Sequence, residues 1–535
     1  MPWMNEYPRP QMRRNSFFCL NGSWQLDEKN VQVPFPPQSS LSGFEGEVRD
    51  MMTYVRLFKL PEGFVPEGWR VLLHFGAVDQ IADVFLNGRP VIHHEGGYLP
   101  FSADVTEHIA QGENELVVAF LDALDHDYPY GKQSKKRGGM WYTPVSGIWQ
   151  TVWMEAVPQN RVEGVRITPD MTGVTLQVNA KTSMFTAEIP GVTRITAVTG
   201  TPVRVEIPGA HLWSPEDPFL YMVKITAGED LVESYFALRE VKVQGNRILL
   251  NGKAVFLNGV LDQGYFRQGI FLPEEPEEYA RDVQRMKELG FNMLRKHIKV
   301  EPETFYYACD RLGMLVLQDM VNSGPYSFLL DTVLPTVGWV NRPLLPAGEK
   351  RRRVFREHAL ETQAHLYNHP CVIGYTIFNE GWGQHDTEEL YRMLKANDPT
   401  RFYDAASGWF IPGETDVDSV HVYFRNKKLH PSKRPMLLSE CGGYTRSIPG
   451  HLFRPDAKYG YGKTDTEQAL TDKIIQMYDE MVLPAVPEGL CGVVYTQLSD
   501  VEDEINGLYT YDRQVCKVDV PRLAEKMRKV CAELE

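Results

Sequence analysis

The sequence predicts a multidomain chain: an all-β jelly-roll sandwich, an immunoglobulin-like β-sandwich and a C-terminal (β/α)8 TIM barrel. Short alternating strands recur between Gly and Pro turns up to about residue 247, and from Asn251 strands alternate with amphipathic helices. Two apolar runs, Cys371–Phe378 and Met436–Leu438, end on Asn379-Glu380 and on Ser439-Glu440, with glycines close behind. Runs of that kind read as strands buried on both faces, whose last side chains emerge at the carboxyl end of a barrel. At 535 residues, 43% hydrophobic and 24% charged, the chain has room for several separate cores.

Residues 1–157 read as the jelly roll. Its strands include Tyr54–Leu60, Arg70–Phe75, Asp83–Leu86 and Glu115–Phe120, and Asn87-Gly88 predicts a hairpin turn because both residues tolerate positive φ. One loop stands apart. Between Tyr130 and Tyr142, Lys132, Lys135, Lys136 and Arg137 lie among glycines and precede the pair Trp141-Tyr142. The plain reading of these cations is a solvated surface loop; the alternative is a loop reaching a binding site, with Trp141 or Tyr142 stacking on a ring of the ligand. His93 and His94 are neighbours on a strand and point to opposite faces, so they do not converge on a metal. Residues 158–247, with alternation at Gly173–Asn179, Pro202–Ile207 and Tyr221–Ile225, suit the immunoglobulin-like sandwich.

Residues 248–535 read as the barrel. Ala254–Leu257 is expected to open the first strand, followed by Phe291–His297, Met314–Asp319 and the run ending on Glu380. Arg401–Asp404, Ser419–Tyr423, the run ending on Glu440 and Gly492–Leu498 complete eight. A helix is predicted from Glu277 to Leu289, with acids in its first turn and a stop at Gly290. The irregular stretches 321–350 and 444–465 follow strand ends and are candidate site loops.

The predicted strand ends gather Asp262, Arg295, His297, Gln318, Asp319, Asn379, Glu380, His421, Tyr423, Glu440, Gln497 and Asp500. Two glutamates in one barrel mouth are what retaining glycoside hydrolysis needs: an acid for the leaving oxygen and a nucleophile for the sugar carbon, their carboxyl groups about 5–5.5 Å apart. An Arg or Tyr beside the nucleophile keeps it ionised.

The net charge of −14, with no basic stripe, argues against nucleic acid as a partner. Nothing approaches the apolar length of a membrane span, and the N-terminus has no apolar core of a signal peptide. Seven scattered cysteines contain no Cys-x-x-Cys pair. A cytoplasmic protein is expected, with no cofactor and no metal; the sequence does not set the oligomeric state, and a homo-oligomer stays open.

Leu20-Asn-Gly-Ser-Trp24, Gly147-Ile-Trp-Gln-Thr-Val-Trp153, Leu250-Asn-Gly-Lys253, Asn292-Met-Leu-Arg-Lys-His297, Phe378-Asn-Glu-Gly381 and Leu438-Ser-Glu440 together resemble glycoside hydrolase family 2, the β-galactosidase, β-glucuronidase and β-mannosidase group. The resemblance spans essentially the whole chain. It implies a retaining, exo-acting β-glycosidase on an oligosaccharide or glycoside, with Glu380 as acid/base and Glu440 as nucleophile. Asn379 would bond the sugar 2-hydroxyl, while Tyr423 and Arg295 would hold the nucleophile. Asp262, His297, Gln318, Asp319, Trp382, His421, Gln497 and Trp141 are the further expected substrate contacts. Glucuronidases of the family carry an Asn-x-Lys motif beyond the nucleophile, and Gln497–Lys517 has Asn506-Gly-Leu508 instead. A neutral sugar, above all a β-galactoside, is therefore expected. The alternatives are a uronide held by another cation, such as one of the 132–137 loop, a mannoside, or an inactive carbohydrate-binding protein.

Overall fold

Every strand ladder up to Ala254 is antiparallel, and every ladder beyond it is parallel, in a computed structural model that describes residues 2–336 and 338–533. The change follows from the connections. Short turns return a strand antiparallel to itself, whereas helical crossovers return it parallel.

The first sandwich has a six-stranded sheet ordered Lys29–Val33, Gly22–Leu26, Met51–Lys59, Glu113–Leu121, Ile81–Leu86, Arg89–Glu95, and a four-stranded sheet of Phe18–Cys19, Val152–Val157, Arg70–Phe75 and Phe101–Asp104. In Glu113–Leu121 the residues Asn114, Leu116, Val118 and Phe120 are buried and their neighbours are not, the period-two pattern of a strand over a core. That core includes Trp24, Leu73, Val84 and Val118. Asn87 and Gly88 both take positive φ, at 51° and 74°, and form the hairpin turn expected of them.

Two further sheets, of three and four strands, enclose a separate core around Leu176, Phe185, Val223 and Val232. Val241–Gln244, Arg247–Leu250 and Lys253–Ala254 then form a small meander. Here the expected start of the barrel is corrected: Lys253–Ala254 pairs back on Leu249–Leu250, and the first barrel strand is Leu257–Asp262. Asn251 and Gly252, with φ of 54° and 77°, make the turn that takes Ala254 out of the barrel.

The eight barrel strands are Leu257–Asp262, Met293–Lys296, Leu315–Asp319, Val372–Thr376, Phe402–Asp404, Asp418–Val422, Met436–Gly442 and Leu490–Thr496. They pair in the order 5-4-3-2-1-8-7-6, and the bridge between Gly408 and Val420 joins the segments at the remaining seam. The helix Glu277–Glu288 buries Tyr279, Val283 and Met286 at helical spacing and stops where Gly290 takes φ of 88°. A Cβ at Gly290 would stand 2.7 Å from Met527 Cβ, so this stop also serves packing. The connections 405–417 and 423–435, all of whose residues are described, contain no helix, so the expected alternation is incomplete there. Tyr98, Tyr130, Tyr142 and Trp149 of the first sandwich belong to the same apolar cluster as the barrel interior, which seats that sandwich against the barrel.

Candidate active site

The fourth barrel strand ends at Thr376, but the backbone remains extended. Ile377 N bonds Asp404 O at 2.8 Å, Ser407 N bonds Phe378 O at 2.8 Å, and Glu380 N bonds Ser407 O at 2.8 Å. Glu380 then turns into the left-handed region, with φ of 55°, followed by Gly381 at 69°. That conformation costs a non-glycine residue about 1–2 kcal/mol. Gly381 has no substitute here, because a Cβ would fall 2.5 Å from the Phe410 ring. The turn places Glu380 beside groups delivered by three other strands.

Glu440, on the seventh strand, is 5% exposed and bonded on both oxygens. Arg295 Nη1, from the second strand, lies 3.1 Å from Oε1, and the Tyr423 hydroxyl donates to Oε2. The same guanidinium reaches Asp319 Oδ1 at 3.0 Å, Asn379 Oδ1 at 2.8 Å and Ser439 O at 3.0 Å. His297 Nδ1 is 2.7 Å from Asp319 Oδ2. His421 stands between the glutamates, its Nδ1 2.8 Å from Glu380 Oε1 and 3.5 Å from Glu440 Oε2, while its Nε2 is 2.6 Å from Ser407 Oγ. One oxygen of each glutamate and His421 Nδ1 all lie within 4.8 Å of one another.

Burial alone would raise the Glu440 carboxyl, but His421, Arg295, His297 and the Tyr423 hydrogen bond outweigh it and hold the group well below the usual carboxylate range. Glu440 is thus kept as an anion. Burial pushes His297 below the ordinary imidazole range, against the pull of Asp319. Glu380, His421 and Glu440 have the donor set of a small metal site. Arg295 and Tyr423 already meet Glu440, however, so a metal cation there would face a like charge 3.1 Å from one of its ligands.

The structure thus brings Arg295, His297, Asp319, Asn379, Glu380, His421, Tyr423 and Glu440 into one network. Two expected contacts spend their polar atoms elsewhere, and a third spends one of its two. Asp262 accepts from Lys296 Nζ at 2.6 Å and from Gly264 N at 2.9 Å. Gln318 accepts from Tyr306 and donates to Lys299 O and Asp319 O, each at 2.8 Å. Gln497 donates to Asn506 Oδ1 at 2.9 Å, while its buried Oε1 has no hydrogen-bond partner among the described residues.

The wall of the mouth comes partly from the first sandwich. Tyr130 N bonds Asn322 O at 3.0 Å, and Trp141 packs edge-on against Trp382 and Tyr326, each centroid 5.0 Å away. The Tyr142 hydroxyl donates to Glu504, and Thr143 N bonds Glu502 Oε1 at 2.9 Å. Tyr461 stacks on Tyr423 at 4.4 Å from the 444–465 stretch. Sequence reasoning missed Glu504 and Ser407, and it grouped Lys132 with its solvated neighbours. Glu502-Asp503-Glu504 has the look of an acidic turn, yet Glu504 is 4% exposed; the apolar flanks Val501 and Ile505 were its one signal. Lys132 is 8% exposed, whereas Lys135, Lys136 and Arg137 are exposed.

Two family models match the chain: "Glycosyl hydrolases family 2, sugar binding domain" over residues 15–158 and "Glycosyl hydrolases family 2, TIM barrel domain" over 241–454. A β-galactosidase of Thermoanaerobacter pseudethanolicus is 24% identical over 422 residues, 71% of this chain and 53% of that protein. A putative β-glucuronidase of Formosa agariphila is 26% identical over 343 residues, 59% of this chain and 38% of that one. The chain spans about half or less of the length of these curated relatives. Among solved structures, a β-glucuronidase of an uncultured Clostridium sp. superposes with a TM-score of 0.76 at 21% identity, covering 97% of this chain and 99% of that one. The galacturonate-bound β-galacturonidase of Eisenbergiella tayi gives 0.73 at 19%, covering 98% and 99%. At such identities these two likenesses concern the fold.

Proposed function

The chain belongs to glycosyl hydrolase family 2, and from that premise we propose that it is a retaining, exo-acting β-glycosidase. The observation that carries this reading is the approach of Glu380 and Glu440, one oxygen of each within 4.8 Å. So close an approach of single oxygens supports the about 5–5.5 Å carboxyl spacing of a retaining site over the about 6.5–9.5 Å of an inverting one.

In the first step the Glu440 carboxylate attacks the sugar C1 while the Glu380 carboxylic acid protonates the departing glycosidic oxygen. The aglycone leaves as an alcohol and the sugar remains as an ester on Glu440. In the second step the Glu380 carboxylate takes a proton from water, whose oxygen attacks C1 and releases Glu440. Two inversions give net retention. Arg295 and Tyr423 hold the nucleophile ionised and oriented. Asn379 has its Oδ1 taken by Arg295, which leaves Nδ2 for the sugar 2-hydroxyl.

Glu440→Ala should abolish turnover of every glycoside. Glu380→Ala should lose least on nitrophenyl glycosides, whose leaving group needs no proton, and azide should restore turnover as a β-glycosyl azide. Equal losses on activated and unactivated substrates would remove Glu380 from the acid role. Two sugars are compatible with this reaction: the β-galactoside expected from the sequence and named for the Thermoanaerobacter relative, and a uronide of the kind named for the Clostridium and Eisenbergiella proteins. The choice turns on Lys132.

A further inference from the structure

Lys132 is 8% exposed, and among the described residues its Nζ has neither a hydrogen bond nor an ion pair. Its neighbours on the loop differ. Lys135 pairs with Asp50 at 2.8 Å, and Arg137 reaches Glu502 at 3.6 Å and covers the Phe453 ring. Both line a separate cleft of about 720 Å³ that runs along the seam between sandwich and barrel. Lys132 instead turns to the catalytic side. Its backbone carbonyl accepts from Tyr142 N at 3.0 Å, its Nζ lies 5.8 Å from the Trp141 ring, and its charge acts on His297 and Glu504.

Three other cations around this mouth are engaged. Arg295 meets Asp319 and Glu440, Arg454 holds Asp503, and Lys517 lies 2.7 Å from Asp500 Oδ1 and 2.9 Å from Ile505 O. Glu504 is a poor counter-ion for Lys132. Its oxygens accept from Tyr142 and Asn506, and burial, with Glu440 adding to it, pushes its carboxyl up. The Lys132 ammonium, on a largely covered side chain, therefore keeps its three donors free for an anion brought in by a ligand. A site built around such a group also rejects a ligand that leaves it unpaired.

We infer that Lys132 receives the carboxylate of an acidic sugar, so that the substrates of this site are β-linked hexuronides rather than β-galactosides. The inference rests on the glycosidase reading and narrows it. The specificity group then comes from the first sandwich, while the barrel supplies the chemistry. It also accounts for a barrel segment 497–517 that lacks the Asn-x-Lys spacing and whose own lysine is committed to Asp500.

The test compares 4-nitrophenyl β-galacturonide, β-glucuronide and β-galactoside on the wild type, Lys132→Gln, Lys132→Arg and the exposed-loop control Lys136→Ala. The wild type should prefer a uronide. Lys132→Gln should lower the ratio of uronide to galactoside kcat/KM on the order of 100-fold, the loss expected when one partner of a buried charge pair is truncated. Lys132→Arg should keep most of that ratio and Lys136→Ala all of it. A wild type that prefers the galactoside, or a Lys132→Gln loss equal on all three substrates, overturns the inference; the first comparison decides even if the variant does not fold. Calorimetric titration with free galacturonate, glucuronate and galactose separates the two readings. Lys132-dependent binding of an acid without turnover of any glycoside would uphold the inference and end the hydrolase reading. Galactoside turnover without binding of either acid would do the reverse.

Discussion

Arg295 Nη1 lies 3.1 Å from Glu440 Oε1, and every nitrogen of that guanidinium is engaged, since Asp319, Asn379 and Ser439 O take three further bonds. A lysine cannot reproduce such a planar fork. Arg295→Gln should therefore cost activity through the protonation of Glu440. With one of its cations gone the carboxyl titrates higher, and because the nucleophile must be ionised, the acid limb of kcat/KM should move up by about 1–3 pH units. A pH–rate profile checks this. A uniform drop with an unmoved acid limb would leave Arg295 a purely structural part.

His421 separates two carboxylates that would otherwise face each other, with Nδ1 on Glu380 and Nε2 at Ser407. His421→Ala should lower kcat by about 10²–10⁴-fold, in the range for loss of a positioned acid–base partner, with a smaller change in KM. Ser407→Ala should do less, since it removes only the group that orients the ring. Equal effects from the two variants would contradict that order.

Asp404, fully buried on the fifth barrel strand, feels Arg295, Asp319 and His421, and burial pushes its carboxyl up to about 6 against the pull of Arg295. The native state then binds a proton that the unfolded state releases near pH 4. Stability attributable to this group falls as pH rises from about 4 to about 6 and stays low above, at a cost of roughly 3 kcal/mol. Asp404→Asn should raise Tm at pH 7.5 and leave it nearly unchanged at pH 4.5. Calorimetry showing the same shift at both pH values would remove the carboxyl as the cause.

Much of the barrel is legible in the sequence because buried parallel strands are apolar runs of the right length, and each observed strand lies within a few residues of its predicted run. Glu380 and Glu440 are legible for the same reason: a charge ending such a run has few places to go except the mouth. Ala254 is misplaced because an apolar run beside a turn pairs equally well backwards, and only the Asn251-Gly252 dihedrals decide. Lys132 is illegible. Four cations among glycines read alike whether solvated or covered, and the cover here is Trp141 packed on Tyr326 and Trp382, far away in the chain. Gln318 shows the converse, since being polar at a strand end says nothing of which neighbours will take the bonds.

Tyr142 is the covalent neighbour of Trp141 and the hydrogen-bond donor to Glu504. Tyr142→Phe leaves that buried carboxylate with one partner fewer, which costs about 1–3 kcal/mol. Tm should fall accordingly, and KM should rise because the wall bearing Lys132 loses its tie. An unchanged KM alongside a lowered Tm would separate the tie from the pocket.

That same hydrogen bond joins positions 362 residues apart. Synthesis runs from the N-terminus at about 5–20 residues per second, so the aromatic loop leaves the ribosome about 20–70 s before its partner exists. Throughout that interval Trp141 and Tyr142 have no barrel to pack against. A nascent chain thus presents an uncovered aromatic edge to its surroundings, and chaperone capture or misassembly would concentrate at this loop rather than at the catalytic strands. The loop that bears Lys132 is the first part of the candidate site to be made and among the last to be completed.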